Sequence, residues 1–485
     1  MAGQTGQTGT MVPAARVTRR TQLRVAAVAL PTAAATACGA TRPGDRQSVA
    51  PVPANPTGKV VVWSGPVHGV WEQMQPVFAE RYTAITVEAA RPERKQGQGT
   101  FEAMLAALAA GSGPDVLGVD ATPVFMGPFV ERKAVLPLDR YYAALPNLRK
   151  VFGWARREAT LEGKLWGVPT ATAFEAIWAN KTVMDRAGIT ETPATWEQFL
   201  AQAAKLKAAL ASNHISGAGG TKSGALEKPP VPMMINFPGN AGTLFNLLRA
   251  SILGRDGIAS ILYRDGKWDS AEMILVAQTA VELQKQAIIP PQPIDDHYVG
   301  HPNFTLGNAA WWPNGSWAVV GFENTKNTNP DQFDYRFFGL PPKQGRRAPQ
   351  LVGRIVGGLL INAATKVPDA AATLCDFLIS APALKVWFTA TKGELPGPVI
   401  PIAPAEFGLP PGFTAVLETL VKAGDLPANV EEMVSSSFRE FEQQQMLQLL
   451  NGGISPRDYG TLVQSEWARQ KQAGTLPTQQ QEAKE

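Results

Sequence analysis

Residues 59–120 alternate short apolar runs with amphipathic helical patterns, and this alternation limits the folds open to the chain. Three short runs predict buried strands: KVVVW at 59–63, ITVEAA at 85–90 and DVLGVD at 115–120. Two patterns between them predict amphipathic helices: VWEQMQPVFAERY at 70–82 and FEAMLAALAAG at 101–111. The order β-α-β-α-β predicts an α/β fold that contains a parallel sheet.

In open α/β sheets, ligands bind beyond the carboxyl ends of the strands. Two segments of this chain occupy such positions: SGPVH at 64–68 and DATP at 120–123. We therefore expect Ser64, Gly65, His68 and Asp120 to face a ligand. Trp63, which ends the first run, is either a ligand contact or a core residue.

The charge distribution argues against a nucleic-acid-binding protein. The formal net charge is +4 over 485 residues, and four arginines within residues 1–37, a stretch without acids, account for it. The remaining chain is balanced, whereas nucleic-acid binding needs a basic face. A chain of this length has room for two hydrophobic cores.

The first 58 residues predict an export signal followed by a tether. Residues 1–37 predict an export signal, because TRRTQLR precedes an apolar stretch that is too short to span a bilayer. The sequence ATAC resembles a lipobox and predicts lipidation of Cys38, and Arg19-Arg20 resembles a twin-arginine signal. Residues 38–58, rich in Pro and Gly, predict a flexible tether. The alternative is a basic, Ala-rich tail with a chance cysteine, and translation starts at either Met1 or Met11.

No motif in the sequence supports catalysis, a metal or a cofactor. The four histidines form no H-E-x-x-H pair, and there is no P-loop or G-x-S-x-G pattern. Asp295, His297 and His301 imitate a metal cluster, but their Pro-rich setting favours a solvated loop. Cys375 lies in an apolar helical pattern, which predicts a buried small hydrophobe.

Four stretches, in this order, resemble the family 1, maltose-binding-protein-like solute-binding proteins of ABC importers, which are often bacterial lipoproteins. They are FEAMLAALAAGSGPDVLGVD, LEGKLWGVPTATAFEAIWANKTVMDRAGI, LGNAAWWPNGSWAVVGF and GGLLINAATKVPDAAATLCDFLIS. The resemblance spans about residues 59–469 and departs from the family between about 211 and 240. It implies a two-lobed periplasmic-binding-protein-like fold with a hinge of crossing strands, and ligands that are most often sugars.

The resemblance also implies domain boundaries. Lobe 1 would comprise residues 59–171 and 357–392, and lobe 2 would comprise 174–354 and 396–470, with a polar tail at 471–485. The crossing strands would lie near residues 170–174, 353–358 and 393–398.

The stretch GNAAWWPNGSW at 307–317 raises the question of what its three tryptophans face. Neighbouring residues of a strand point to opposite faces, so Trp311 and Trp312 cannot both meet a ligand. We expect Trp311 in the core. The ligand contacts that we expect on the resemblance are Thr172, Phe174, Glu175, Trp178, Trp312, Asn314, Trp317, Gly357, Gly358, Glu394 and Phe438. Trp178 also suits the core, and the two glycines allow either a close backbone approach or a bend.

The predicted function is capture of a small polar solute, foremost a mono- or oligosaccharide, by a monomer that delivers it to the permease subunits of an ABC transporter. A lipid on Cys38 would hold the protein at the outer face of the cell membrane. The alternatives are a binding protein for a polyamine, amino-acid derivative or phosphodiester, a sensor or structural lipoprotein of the same fold, and a secreted glycoside-active enzyme.

Overall fold

The three apolar runs of residues 59–120 form neighbouring parallel strands, as predicted. The computed structural model describes residues 51–91, 100–211, 231–236, 239–291, 300–343, 350–390, 398–403, 407–424 and 426–474. The strands are β1 (Gly58–Trp63), β2 (Ile85–Ala90), β3 (Val116–Gly118), β4 (Thr160–Leu161), β5 (Lys164–Leu165), β6 (Gly167–Asn180), β7 (Val231–Met233), β8 (Ala309–Gly315), β9 (Tyr335–Phe338) and β10 (Val352–Ile361). Strand β1 pairs in parallel with β2 on one side and with β3 on the other.

Seventeen α-helices surround the strands within the described part of the chain. The first nine are α1 (Gly65–Ala79), α2 (Thr100–Ala109), α3 (Pro123–Glu131), α4 (Asp139–Ala144), α5 (Gly153–Glu158), α6 (Lys181–Arg186), α7 (Trp196–Ala211), α8 (Gly239–Ile252) and α9 (Gly254–Tyr263). The others are α10 (Ala271–Lys285), α11 (Gly300–Thr305), α12 (Val319–Thr328), α13 (Pro368–Leu378), α14 (Ala381–Ala390), α15 (Pro411–Ala423), α16 (Ser436–Leu450) and α17 (Pro456–Ala473).

The start of α1 differs from the prediction. The segment SGPVH does not form a loop, because Ser64 caps a helix that already begins at Gly65. The Ser64 hydroxyl accepts a hydrogen bond from the Val67 amide at 3.4 Å, and the proline that follows Gly65 suits the first turn. Gly65 and His68 are therefore helical residues.

The stretch LWGVPTATAFEAIWANK predicts two extended pieces joined by small residues, but β6 is one continuous strand of 14 residues. Its first part pairs with β10 in antiparallel fashion, and its last part pairs with β8 and β9. The predicted crossing segments 170–174 and 353–358 lie in β6 and β10 and pair with each other. Of the third segment, only Pro398 is described.

The long strand β6 joins two groups of strands into one mixed sheet. The strand order is β2-β1-β3-β10-β6-β8-β7, with β9 also paired to β6. One set of buried clusters packs around β1 and β3, and another packs around β8 and its helices. Residues Ala50–Glu485 group as one compact unit, so the lobe boundaries remain a prediction. The α/β class is confirmed.

Helix α13 belongs to the core around β1. Cys375 on this helix is fully buried, as expected of a small hydrophobe. Within the described ranges, no single helix is long and apolar enough to cross a membrane; only α13 and α14 together, with a 64° bend between them, satisfy length and composition.

Candidate ligand-binding site

The candidate site is built where β6 and β10 run side by side. Arg354 on β10 pairs in register with Ala173, and Glu175 lies two residues farther along β6. Side chains two residues apart on a strand share a face, so Arg354 and Glu175 are diagonal neighbours. The Arg354 Nη1 and the Glu175 Oε1 lie 3.6 Å apart.

A short 3-10 helix, Val430–Glu432, adds further polar groups. The Arg354 Nη2 forms an ion pair with Glu432 at 2.8 Å. Asn429, which precedes the turn, donates a hydrogen bond from its Nδ2 to Glu175 at 2.8 Å. The turn therefore completes the surroundings of the guanidinium.

Residues that follow β3, the strand paired with β10, reach the same turn. The Thr122 hydroxyl donates a hydrogen bond to Glu432 at 3.0 Å, across 310 residues of sequence. Nearby, the guanidinium of Arg439 on α16 lies 5.1 Å from the centre of the Phe125 ring on α3. The two predicted lobes meet through these contacts.

Five carboxyl groups interact electrostatically with the Arg354 guanidinium, and we call them the acidic cluster: Asp120, Glu158, Glu175, Glu431 and Glu432. Each of the four glutamates is at most 6% exposed. Burial disfavours the charged form of a carboxyl group, and neighbouring carboxylates add to that effect.

The pKa values of four of these carboxyl groups are raised accordingly. Burial, assisted by Glu432 and opposed by Arg354, raises the pKa of Asp120 to about 6. Burial raises the pKa of Glu175 to about 7 even though Arg354 favours its charged form. Burial, assisted by Glu432, raises the pKa of Glu158 to about 8. Burial also raises the pKa of Glu431. The cluster holds protons near neutral pH because burial outweighs the attraction of the nearby guanidinium groups of Arg354, Arg157 and Arg249.

An aromatic face lies beside the cluster. Trp317 follows β8 in a 3-10 turn, Ser316–Ala318, and is 36% exposed. The Arg354 guanidinium lies 5.2 Å from the centre of its ring. A side chain at Gly315 would come within 1.9 Å of the indole, so only glycine lets the ring lie there. Carboxylates, a guanidinium and an exposed indole together provide the mixed polar and aromatic lining of a small-molecule site.

Three predicted contacts meet in this place: Asp120, Glu175 and Trp317. Their contact with a ligand stays a prediction. The residues that sequence reasoning missed are Thr122, Glu158, Arg354, Asn429, Glu431 and Glu432. Arg354 had a signal, because it is the only charge in the apolar run LVGRIVGGLLI. The others were hidden because their partners lie far away in sequence.

Four predicted contacts lie in the hydrophobic core, and their assignment is corrected: Phe174, Trp178, Trp312 and Phe438. Phe174 and Trp178 stack on one another within a cluster that also holds Trp312. Phe438 packs against Trp268 and Trp467. Their large apolar surfaces are buried by packing, which leaves no face for a solute.

The tryptophans of β8 answer the question raised by GNAAWWPNGSW. Trp311 and Trp312 point to opposite faces, as expected, but both faces are covered. Trp311 stacks on Phe199 with ring centres 4.8 Å apart. Trp312 instead packs against Phe304. Of the three rings, Trp317 alone is exposed.

The remaining predicted contacts lie next to the chain's own atoms. Thr172 donates a hydrogen bond to the Pro398 carbonyl, and the Asn314 carbonyl accepts one from the Trp178 indole. The His68 Nδ1 lies 3.0 Å from the Ala89 carbonyl oxygen. Trp63 is half-buried against the cluster formed around β3 and α3.

Gly357 and Gly358 form an irregularity in β10. A side chain at Gly358 would come within 2.4 Å of the Ala121 amide, and one at Gly357 would meet Thr170 at 2.8 Å. The close approach expected at these glycines is therefore made by the chain itself. Glu394 and Cys38, like the Asp295 and His297 pair, lie outside the described residues.

Comparison with solved structures identifies the fold. The chain is similar to a chitin oligosaccharide binding protein (18% identity, TM-score 0.64, covering 85% of this chain and 98% of that one). It is also similar to the sugar-binding protein MalE from Xanthomonas citri (17% identity, TM-score 0.65, 86% and 99%). A third is an ABC transporter solute-binding protein from Thermotoga lettingae bound with α-D-tagatose (18%, 0.61, 85% and 99%). The two-lobed periplasmic-binding-protein-like fold is thus confirmed.

Sequence comparison gives the family. Curated binding proteins of Brucella abortus and Brucella suis are 39% identical to this chain over 86 residues. That match covers about a fifth of each: 18% of this chain and 21% of the relative. The family model described as "Bacterial extracellular solute-binding protein" matches residues 64–385, which is most of the chain. The protein therefore belongs to the bacterial extracellular solute-binding protein family, as the sequence resemblance implied.

Proposed function

We propose that this protein captures a small polar solute, foremost a carbohydrate, in a cleft between its two predicted lobes. It would deliver the solute to the permease subunits of an ABC transporter. The solute would lie against Trp317, with Asp120 and Glu175 among its hydrogen-bond partners. A sugar suits such a site because one face of its ring is apolar and its rim is hydroxylated.

One observation supports this proposal above the others: Trp317 presents an exposed indole beside a buried polar cluster at the crossing strands. The two tryptophans within β8, Trp311 and Trp312, are enclosed in the core. An exposed aromatic face next to convergent polar groups is typical of a binding site.

Closure of the two lobes would signal loading to the permease. The Thr122–Glu432 hydrogen bond joins elements that belong to different predicted lobes. A ligand shifts such an equilibrium only if it binds the closed state more tightly than the open one. Extracytoplasmic location follows from the family, and lipidation of Cys38 would keep the loaded protein near its permease.

Thermal unfolding of the full chain in the presence of a panel of sugars tests the proposal. A ligand at 100 times its dissociation constant adds about 2.7 kcal/mol to stability, which raises the melting temperature visibly. We expect at least one sugar to do so. A panel in which no sugar raises the melting temperature would contradict the carbohydrate assignment.

Replacing Trp317 with alanine tests the site itself. Loss of an aromatic contact should weaken binding of that sugar by about 1–3 kcal/mol. Leu462→Ala on α17 is the matched control, because Leu462 is 39% exposed and apolar. Isothermal titration should show weakened binding for W317A and unchanged binding for L462A. Equal affinity of both variants would place the sugar elsewhere.

A further inference from the structure

The acidic cluster contains more negative charge than its surroundings balance. Glu175 and Glu432 share Arg354 as their ion-pair partner. With all five carboxyls ionised, the cluster and Arg354 together would carry a formal charge of −4. Two further arginines each act on one member of the cluster: Arg157 favours the charged form of Glu158, and Arg249, which pairs with Glu442, favours that of Glu431. Arg439 lies over Phe125.

Buried charges persist in proteins when an opposite charge pairs with them. The raised pKa values of Asp120, Glu158 and Glu175 show that protons take part of that role here. A bound cation would replace those protons and restore the charged form of the carboxylates.

A second observation, independent of charge, concerns hydrogen bonding. Asn429 is fully buried, and its Nδ2 donates to Glu175. Its Oδ1 has no hydrogen-bond partner among the described residues, and the same holds for the Glu158 Oε2. Both are acceptors when Glu158 is ionised. A buried acceptor without a partner is costly, so each of these two oxygens calls for a donor.

A protonated amine satisfies both observations, because an ammonium group carries a positive charge and donates three hydrogen bonds without accepting any. A neutral hydroxyl supplies one donor and no charge. An anion would meet five carboxyl groups, which outnumber the guanidinium groups beside them. The exposed face of Trp317 is a further attraction, since cations bind favourably over indole rings.

We propose that the solute recognised here carries a protonated primary amine, as an amino sugar does, and that this amine binds in the acidic cluster near Asn429 and Trp317. This inference rests on the proposed function and narrows its solute class. The sugar ring would lie against the indole while the ammonium group donates to the carboxylates. An alkyl polyamine offers the same ammonium chemistry without the ring hydroxyls.

Isothermal titration of the full chain with three probes tests the inference: the glucosamine trimer, the N-acetylglucosamine trimer and spermidine. The two trimers share their rings and linkages, but acetylation removes the positive charge. A charge-assisted hydrogen bond should make the glucosamine trimer bind about 10- to 100-fold more tightly than the acetylated trimer.

Glu432→Gln is the diagnostic variant, because it removes one charge of the cluster and keeps the side-chain shape. It should weaken binding of the glucosamine trimer by about 10-fold and change binding of the acetylated trimer little. Glu466→Gln on α17 is the control, since Glu466 pairs with Arg469 away from the cluster. That variant should bind all three probes like the parent chain.

The outcomes separate the two proposals. If the acetylated trimer binds as tightly as the glucosamine trimer, the amine inference fails while carbohydrate capture stands. If spermidine alone binds, the amine inference stands and the carbohydrate class fails. If neither amine probe binds, the amine inference is overturned.

Discussion

Glu158 provides the sharpest test of the electrostatics of the cluster. It lies on α5, is 3% exposed, and interacts through a backbone hydrogen bond with Ile355. Burial first, and Glu432 second, raise its pKa from 4.5 to about 8. We expect Glu158→Gln, which mimics the protonated side chain, to remove the dependence of stability on pH that this residue causes.

The sign and size of this pH dependence of stability follow from proton linkage. Because the folded pKa lies above the unfolded value, the stabilising contribution of protonated Glu158 is complete below about pH 4.5 and is lost as pH rises toward 8. One pKa unit corresponds to about 1.4 kcal/mol, so the parent chain should lose about 3 kcal/mol through this group between pH 4.5 and pH 7. The variant should not show this loss.

Urea unfolding of both chains at pH 5, 6, 7 and 8 measures the effect. The quantity to compare is the difference in unfolding free energy between E158Q and the parent, which should grow in favour of the variant as pH rises. Glu466→Gln is the matched control. The pKa of Glu466 is lowered by Arg469, so its contribution is lost only as pH falls below its ordinary value of 4.5. The E466Q difference should stay flat above pH 5. A flat difference for E158Q as well would refute the assignment of Glu158 as a protonated buried acid.

Two further predictions concern the core. Trp312→Ala should destabilise the fold by about 3–5 kcal/mol, as loss of a buried aromatic does, and a change in sugar affinity with unchanged melting temperature would return Trp312 to the site. Arg249→Met should cost about 3–5 kcal/mol in urea unfolding, because Arg249 and Glu442 are an ion pair at most 1% exposed and the variant leaves a buried carboxylate unpaired. Adding Glu442→Gln removes that charge and keeps an acceptor for the Tyr459 hydroxyl, so the double variant should recover at least half of the loss. Equal stability of the single and double variants would show that charge is not the cause.

Local features of the sequence carried the fold class and several helix starts. The pattern T-W-E-Q predicts a cap at Thr195, and Ser455-Pro456 predicts the start of the last helix. Thr195 accepts a hydrogen bond from the Gln198 amide, and Ser455 caps α17. At α10 the pattern D-S-A-E predicts a cap at Asp269, but Ser270 accepts the Met273 amide. A cap involves residues within one turn of each other, so the sequence contains both partners of the interaction.

The site was only partly accessible to such reasoning. Asp120 could be assigned because it ends a predicted strand, and Trp317 because the family resemblance places its stretch of sequence at the cleft. The sequence could not distinguish Trp312 from Trp317, since exposure depends on whether other elements cover a ring. Strand alternation placed Trp311 and Trp312 on opposite faces but could not show that both faces are enclosed.

The sequence by itself determined the α/β class, the first three strands and the family, because these depend on periodicity and on residues that are close along the chain. Tertiary structure alone decided the acidic cluster. Thr122 and Glu432 are 310 residues apart, and Glu175 and Asn429 are 254 apart. Such pairs form only when β6 and β10 pair with each other and the turn at Val430–Glu432 folds back onto them. The burial and charge balance of each carboxyl group therefore depend on which distant groups meet.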